Sequence, residues 1–196
     1  MAVPQIKSMI VGHVGAGITS LILRHCHGIF PDSRDLRDCE MKNWSYNNRK
    51  LVEHNGRSFI IELEDGKEWD TDSGRNIVYG MVDVFIILFE ITENEERFAQ
   101  IHSYWWAEIN RYCPKVPIVL VGSKVDSRGQ EDIKTIATEE GQAMAEKIGA
   151  AKYMEVSSLE NRGVTELFEE VVVLGFEHSV AARAAKEKRK KKCTIL

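Results

Sequence analysis

Residues 12–19 read GHVGAGIT, between two short apolar runs. The glycine spacing is that of a phosphate-binding loop, G-x-x-x-x-G-K-[ST]. Such a loop works because successive backbone N–H groups and a helix N-terminus face the phosphates. Gly12 and Gly17 stand where the chain must wrap closely, with Val14, Gly15 and Ala16 between them. Thr19, followed by Ser20, can offer its hydroxyl to Mg2+ and to a phosphate. The lysine is absent. Ile18 takes its place and has no ammonium for the β/γ-phosphates. Losing one charge-assisted contact costs about 1.5–3 kcal/mol, roughly ten- to hundredfold in affinity. Taken alone, the stretch reads equally well as a strand–helix turn without a ligand.

Placing such a loop requires a strand before it and a helix after it. IKSMIVG, ending at Gly12, is the expected strand, and Thr19 to His27 the expected helix. LVEHNGRSFIIEL predicts two strands around an Asn55-Gly56 turn, the strongest short hairpin signal. VDVFIILFEI (82–91) and PIVLVG (117–122) are near-continuous apolar runs, as in the centre of a sheet covered on both faces. KYMEV (152–156) is a further strand. Amphipathic spacing of Phe98, Ile101, Trp105 and Ile109 predicts a helix over 95–112. Helices are also expected over 138–148 and 163–185, and a long irregular loop over 31–50. Strands alternating with helices imply an α/β fold, a mixed, mostly parallel six-stranded sheet with helices on both faces. In such sheets ligands sit beyond the carboxyl ends of the strands. The loops to watch are therefore 12–19, 64–76, 122–127 and 156–160.

Two of those loops carry further motifs. VGSKVD places Ser123, Lys124 and Asp126 after the fifth strand, and EVSSLE places Ser157, Ser158 and Leu159 after the sixth. VGSKVD resembles the N-K-x-D guanine motif of the small GTPases, with Ser123 for Asn. An aspartate there accepts hydrogen bonds from guanine N1–H and N2–H, which adenine cannot donate. Lys124 can lay its stem along the base, while Ser123, shorter than Asn, is expected to lose part of the loop-tying hydrogen bonding. EVSSLE is similar to the E-x-S-A-K loop, whose backbone N–H after the Ser reads guanine O6, a place Ser158 holds here. Phe30-Pro31 matches the aromatic at the base edge. With YCPKVPIVLVGSKVD, EEGQAMAEKIGAAKYMEVSS and GVTELFEE, the chain resembles a Rho-family member of the Ras superfamily over essentially its whole length. The helical insertion of Rho proteins looks shortened, over 127–138.

The resemblance implies a guanine-nucleotide site made by Gly12, Val14, Gly15, Ala16, Gly17, Ile18, Thr19, Ser20, Phe30, Ser123, Lys124, Asp126, Ser157, Ser158 and Leu159. GTP or GDP is the implied cofactor, with Mg2+ at Thr19 and Asp65. It also exposes departures. Val14 occupies a glycine position whose substitution in the family blocks hydrolysis. Residues 31–50 contain no Thr to sense Mg2+ and γ-phosphate. The family's D-x-x-G-Q becomes DGKEW from Asp65; in a rival register Trp69-Asp70-Thr71 mimics the family's W-D-T. Neither register supplies a water-positioning Gln, and without these groups intrinsic hydrolysis is slow. No catalytic residue is assigned. Three readings remain: a Rho-like protein that binds guanine nucleotide weakly and hardly hydrolyses it; a nucleotide-free scaffold; and an ordinary GTPase with Lys67 or Arg75 entering the site. Effector and regulatory proteins are expected at 31–50 and 64–82.

The chain carries a net charge of −4, unevenly spread. Residues 181–196 hold seven Lys/Arg and one acid, a net +6, leaving −10 on the other 180 residues. A basic tail on an acidic body predicts an anionic membrane leaflet as partner, not nucleic acid. The expected division is a nucleotide-binding domain over 1–182 and a tail over 183–196. KRKKKCTIL ends in a C-a-a-X pattern with Cys193 as the lipidated residue, and its final Leu favours geranylgeranyl. One chain anchors weakly; the five basic residues 188–192 are the second signal. The expected location is the cytoplasmic face of a membrane, with a cytosolic pool. No secretory signal is expected in MAVPQIKSMIVG. The four cysteines and six histidines suggest no disulfide framework or metal spacing; His13 alone lies in the phosphate loop. Trp106 is a candidate exposed partner contact.

Overall fold

The computed structural model describes residues 3–31, 48–66 and 78–193. Most of the expected effector segments, and the rival second-switch register with Lys67 and Arg75, lie outside them. β1 (Gln5–Gly12) leads through the glycine loop into α1 (Ile18–His27). β2 (Arg49–His54) and β3 (Arg57–Asp65) form the hairpin. Asn55 and Gly56 both take positive φ, 48° and 72°. That is what a two-residue I′ turn demands and why Asn-Gly makes it. β4 (Val84–Glu90), β5 (Ile118–Ser123) and β6 (Lys152–Glu155) complete the strands. α2 spans 95–112, α3 is Thr138–Ile148 and α4 is Val164–Cys193.

The strand order is β2-β3-β1-β4-β5-β6, with β2 antiparallel to β3 and every other pairing parallel. β4 shows why its run is unbroken. Val84, Ile86 and Leu88 pack under α1 and α4 with Ile18, Leu21, Leu167, Phe168 and Val171. Phe85, Ile87 and Phe89 face the other way, onto α2 and α3, with Ile101, Ile109, Met144 and Ile148. Alternate side chains point to opposite faces, so a strand covered on both must be apolar throughout. Parallel pairing puts the carboxyl ends of five strands on one edge. Register fixes the neighbours there: Ile10 opposite Asp65, Gly12 opposite Leu88, Glu90 opposite Ser123, Gly122 opposite Glu155.

Two elements differ from expectation. α2 is continuous but changes pitch: Glu95–Gln100 is α-helical, Ile101–Trp106 is a π-helical segment, and Ala107–Tyr112 is α-helical again. The wider turn lets Trp105 and Trp106 both pack on the core under α2. Trp106 is thus half-buried, stacked on His102 at 4.9 Å and 10°, and the exposed aromatics of α2 are Tyr104 and Tyr112. α4 also runs beyond 185 to Cys193, across the expected boundary at 182/183. Residues 128–137 form turns and extended chain without a helix, as the shortened insertion predicts.

Candidate functional site

The glycine loop is held close to the sheet and left open above. A Cβ on Gly12 would collide with the Leu88 carbonyl oxygen of β4. Gly17 caps α1 at φ 93°, a conformation only glycine adopts readily. No side chain caps α1 and no acidic residue occupies its first turn, so its leading N–H groups are left for a ligand. Val14 is 78% exposed on the crown of the loop. Ile18 is only 1% exposed, its side chain in the core under α1. The residue in the lysine position therefore offers its backbone alone. Thr19 is exposed and Ser20 half-buried on the same turn.

Arg97 of α2 reaches the crown: Nη2 donates to the Val14 carbonyl at 2.8 Å. His13 packs edge-on against Trp105 at 5.7 Å. Burial, and then the Arg97 charge, hold its pKa below the usual histidine value. Asp65 ends β3 one register step from the loop strand, so Thr19 and Asp65 both stand on the ligand edge. Mg2+ is commonly held by one or two protein oxygens plus phosphates and water, which suits this sparse donor set. Among the described residues no group of three or more His, Cys, Asp or Glu could hold a metal by itself.

The base side is more completely built. A pocket of about 100 Å³ is lined by Ala16, Gly17, Ser20, Phe30, Ser123, Lys124, Asp126, Ser158 and Leu159. Three loops far apart in sequence are thereby brought to one cavity. Asp126 lies in a 3-10 turn, Val125–Ser127, after β5. Buried Ser157 donates its hydroxyl to Asp126 Oδ1 at 2.5 Å and accepts Glu160 N–H at 3.0 Å. That pair orients the carboxylate at the pocket wall. Ser157 touches Asp126 rather than lining the cavity.

Ser123 does more than its size suggests. Its buried hydroxyl lies 2.7 Å from the Ala16 carbonyl and 3.0 Å from that of Phe89. One proton serves one acceptor at a time, and the shorter contact is the one that ties β5 to the glycine loop. Lys124 takes φ 59° and pairs its ammonium with Glu90 Oε2 at 2.7 Å. Glu155 behind the pocket accepts from Arg128 at 2.8 Å, Thr138 at 3.0 Å and Tyr153 at 2.8 Å. It ties the turn after β5, α3 and β6 together beside the pocket.

Sequence reasoning missed three residues: Arg97, Glu90 and Arg24. Glu90 was detectable as the acid that ends an otherwise apolar strand at the ligand edge. Arg97 and Arg24 carry no motif. They act across sequence distances of 83 and 134 residues, visible only in the fold.

An open twisted sheet with a glycine loop after β1 and polar loops after β5 and β6 is the architecture of the nucleotide-binding α/β proteins. The Ras family model matches residues 7–174. The chain is similar to the Rho-related protein racM of Dictyostelium discoideum, at 33% identity over 185 residues, 89% of this chain and 92% of that one. It is also similar to the GTP-binding protein rho5 of Schizosaccharomyces pombe (strain 972), at 34% identity over 201 residues, 97% of this chain and 96% of the relative. A second Dictyostelium protein, the Rho-related racN, matches at 40% over 115 residues, about half of each chain. The chain belongs to the Ras family of small GTPases, in its Rho-related branch.

Proposed function

We propose that this protein is an atypical Rho-like small GTPase acting in membrane-associated signalling, which binds guanine nucleotide in weakened form and hydrolyses GTP slowly or not at all. The observation that carries this reading is the single pocket shared by Lys124, Asp126, Phe30, Ser158 and the glycine loop. Asp126, held by Ser157, supplies the acceptor for guanine N1–H and N2–H. Loop amides and the α1 N-terminus take the phosphates, and Thr19 with Asp65 would hold Mg2+. Mg2+ would add charge neutralisation between the phosphates. The weakened phosphate side follows from Ile18 being sunk in the core. Slow hydrolysis follows from Val14 on the loop crown, the missing Thr in 31–50 and the missing Gln after Asp65. Effectors and regulators would engage 31–50 and 64–82. The basic run and prenylated Cys193 would supply the membrane contact.

The buried Ile18 also favours a second reading, a scaffold that keeps the fold and binds no nucleotide. One experiment separates them. The protein is purified without added nucleotide and denatured, and the released nucleotide is resolved by ion exchange. Bound GTP, or micromolar GDP binding with Mg2+ that Asp126→Ala abolishes, is the expected result. An empty protein that takes up no GDP overturns nucleotide binding and leaves the scaffold. Released GDP is followed by single-turnover hydrolysis, where a rate typical of efficient GTPases would overturn slow hydrolysis.

A further inference from the structure

Arg24 lies on α1, away from the glycine loop and outside every motif of the chain. Its guanidinium holds three carbonyls at once. Nε donates to Ser158 O at 2.7 Å, Nη2 to Leu159 O at 3.1 Å and Nη1 to Gly28 O at 2.9 Å. The guanidinium carbon stands 5.8 Å from the centre of the Phe30 ring. Ser158, Leu159 and Phe30 all line the base pocket; Arg24 does not. One side chain therefore grips, from behind, the loop after β6 and braces the aromatic after α1.

The grip has a directional consequence. In a planar trans peptide, C=O and N–H point to opposite sides. Fixing the Ser158 carbonyl toward Arg24 turns the Leu159 N–H away from it. Fixing the Leu159 carbonyl does the same for Glu160, whose N–H indeed points to Ser157 Oγ at 3.0 Å. Leu159 lines the pocket and Arg24 does not, so the N–H left on the pocket side is that of Leu159. A five-donor planar fork can hold two consecutive carbonyls in this way, and a lysine cannot.

We propose that Arg24 is a positioning residue for base selection. It sets the backbone N–H of Leu159 so that it meets an acceptor at the six-position of a purine. Guanine has such an oxygen, and adenine carries a donor there. The proposal rests on the base-pocket reading above. With Ile18 in the lysine position, more of the binding falls on the base, and a pre-organised loop matters correspondingly more.

The test compares the full chain with Arg24→Ala and Arg24→Lys. GDP and ADP affinities are measured with Mg2+, and thermal unfolding checks the fold. The unmutated chain is expected to prefer GDP. Arg24→Ala is expected to lose about tenfold or more in GDP affinity while ADP affinity stays put, so that selectivity collapses. Arg24→Lys, keeping charge but not the fork, is expected to fall between. Equal losses for GDP and ADP would make Arg24 merely structural and overturn the proposal, as would unchanged selectivity in Arg24→Ala. Should Arg24→Ala fail to fold, Arg24→Lys decides: unchanged selectivity there overturns the fork argument. An unmutated chain that binds no GDP removes the base-pocket reading itself, and that failure shows before any variant is made.

Discussion

At the scale of single residues, the proposed weakness of phosphate binding turns on Ile18, whose buried side chain brings no ammonium to the loop. It is the first residue of α1, directly after Gly17. Ile18→Lys restores the missing ammonium. Nucleotide affinity is expected to rise roughly ten- to hundredfold, the worth of one charge-assisted contact, measured by equilibrium titration with GDP and Mg2+. The same change removes a side chain only 1% exposed from the core, so the nucleotide-free protein should melt earlier. His25 makes a different prediction. It is 5% exposed, stacked on Phe168 at 3.8 Å, with Nε2 lacking a partner. Burial first, and the Lys50 charge second, push its pKa down to about 3 from 6.5. The folded state thus binds this proton less readily than the unfolded chain. The stability it protects is whole above about pH 6.5 and drains as pH falls toward 3, by up to roughly 1.4 kcal/mol per pH unit. His25→Phe keeps a ring against Phe168 without the titration. Its acid-unfolding midpoint, followed by circular dichroism, is expected to move to lower pH; an unmoved midpoint would clear His25 of the acid sensitivity.

At the scale of elements, most of the scaffold was legible because its signals are local. The Asn-Gly turn, the unbroken run of β4 and the Thr138–Ile148 helix each follow from neighbouring residues. The π segment of α2 was not legible. Its residues Ile101 and Trp105 keep a four-residue spacing that reads as ordinary helix, and only packing of Trp105 and Trp106 together asks for the wider turn. The candidate site divided in the same way. The loops after β1, β5 and β6 announced Gly17, Asp126 and Ser158, whereas the Arg24 and Arg97 contacts depend on tertiary approach. The β1–β4 pairing offers a direct check on the glycine loop. Gly12 faces Leu88 with no room for a methyl group. Gly12→Ala is expected to cost about 1–3 kcal/mol or more through strand displacement, read as a lower urea midpoint. An unchanged midpoint would mean that this approach of loop and sheet is not required.

At the scale of the whole molecule, charge and shape are separated along one helix. α4 is anchored by Val164, Leu167, Phe168, Val171, Val172, Leu174 and Phe176, and its backbone then continues as helix to Cys193. At 1.5 Å per residue, the 17 residues from Phe176 to Cys193 span about 25 Å. The run 188–192 and Cys193 are thereby held at the far end of a rod fixed to the sheet, while the remaining 180 residues carry −10. An acidic body is repelled by an anionic leaflet, so spacing it from the tail favours docking by the tail alone. Among the described residues no helix is long and apolar enough to cross a membrane. A single lipid chain binds marginally, and each basic residue near the surface adds about 1 kcal/mol. Two variants then have different expected outcomes. Cys193→Ser should abolish prenylation and shift the protein from the membrane to the soluble fraction of cells. Replacing Lys188, Arg189, Lys190, Lys191 and Lys192 by Gln should leave a prenylated protein that binds neutral vesicles as before but loses its preference for phosphatidylserine-containing ones. That loss should be two or more orders of magnitude at low salt, shrinking as salt is raised. Equal binding to both vesicle types by the unmutated protein would sink the electrostatic half of this account and leave the lipid alone.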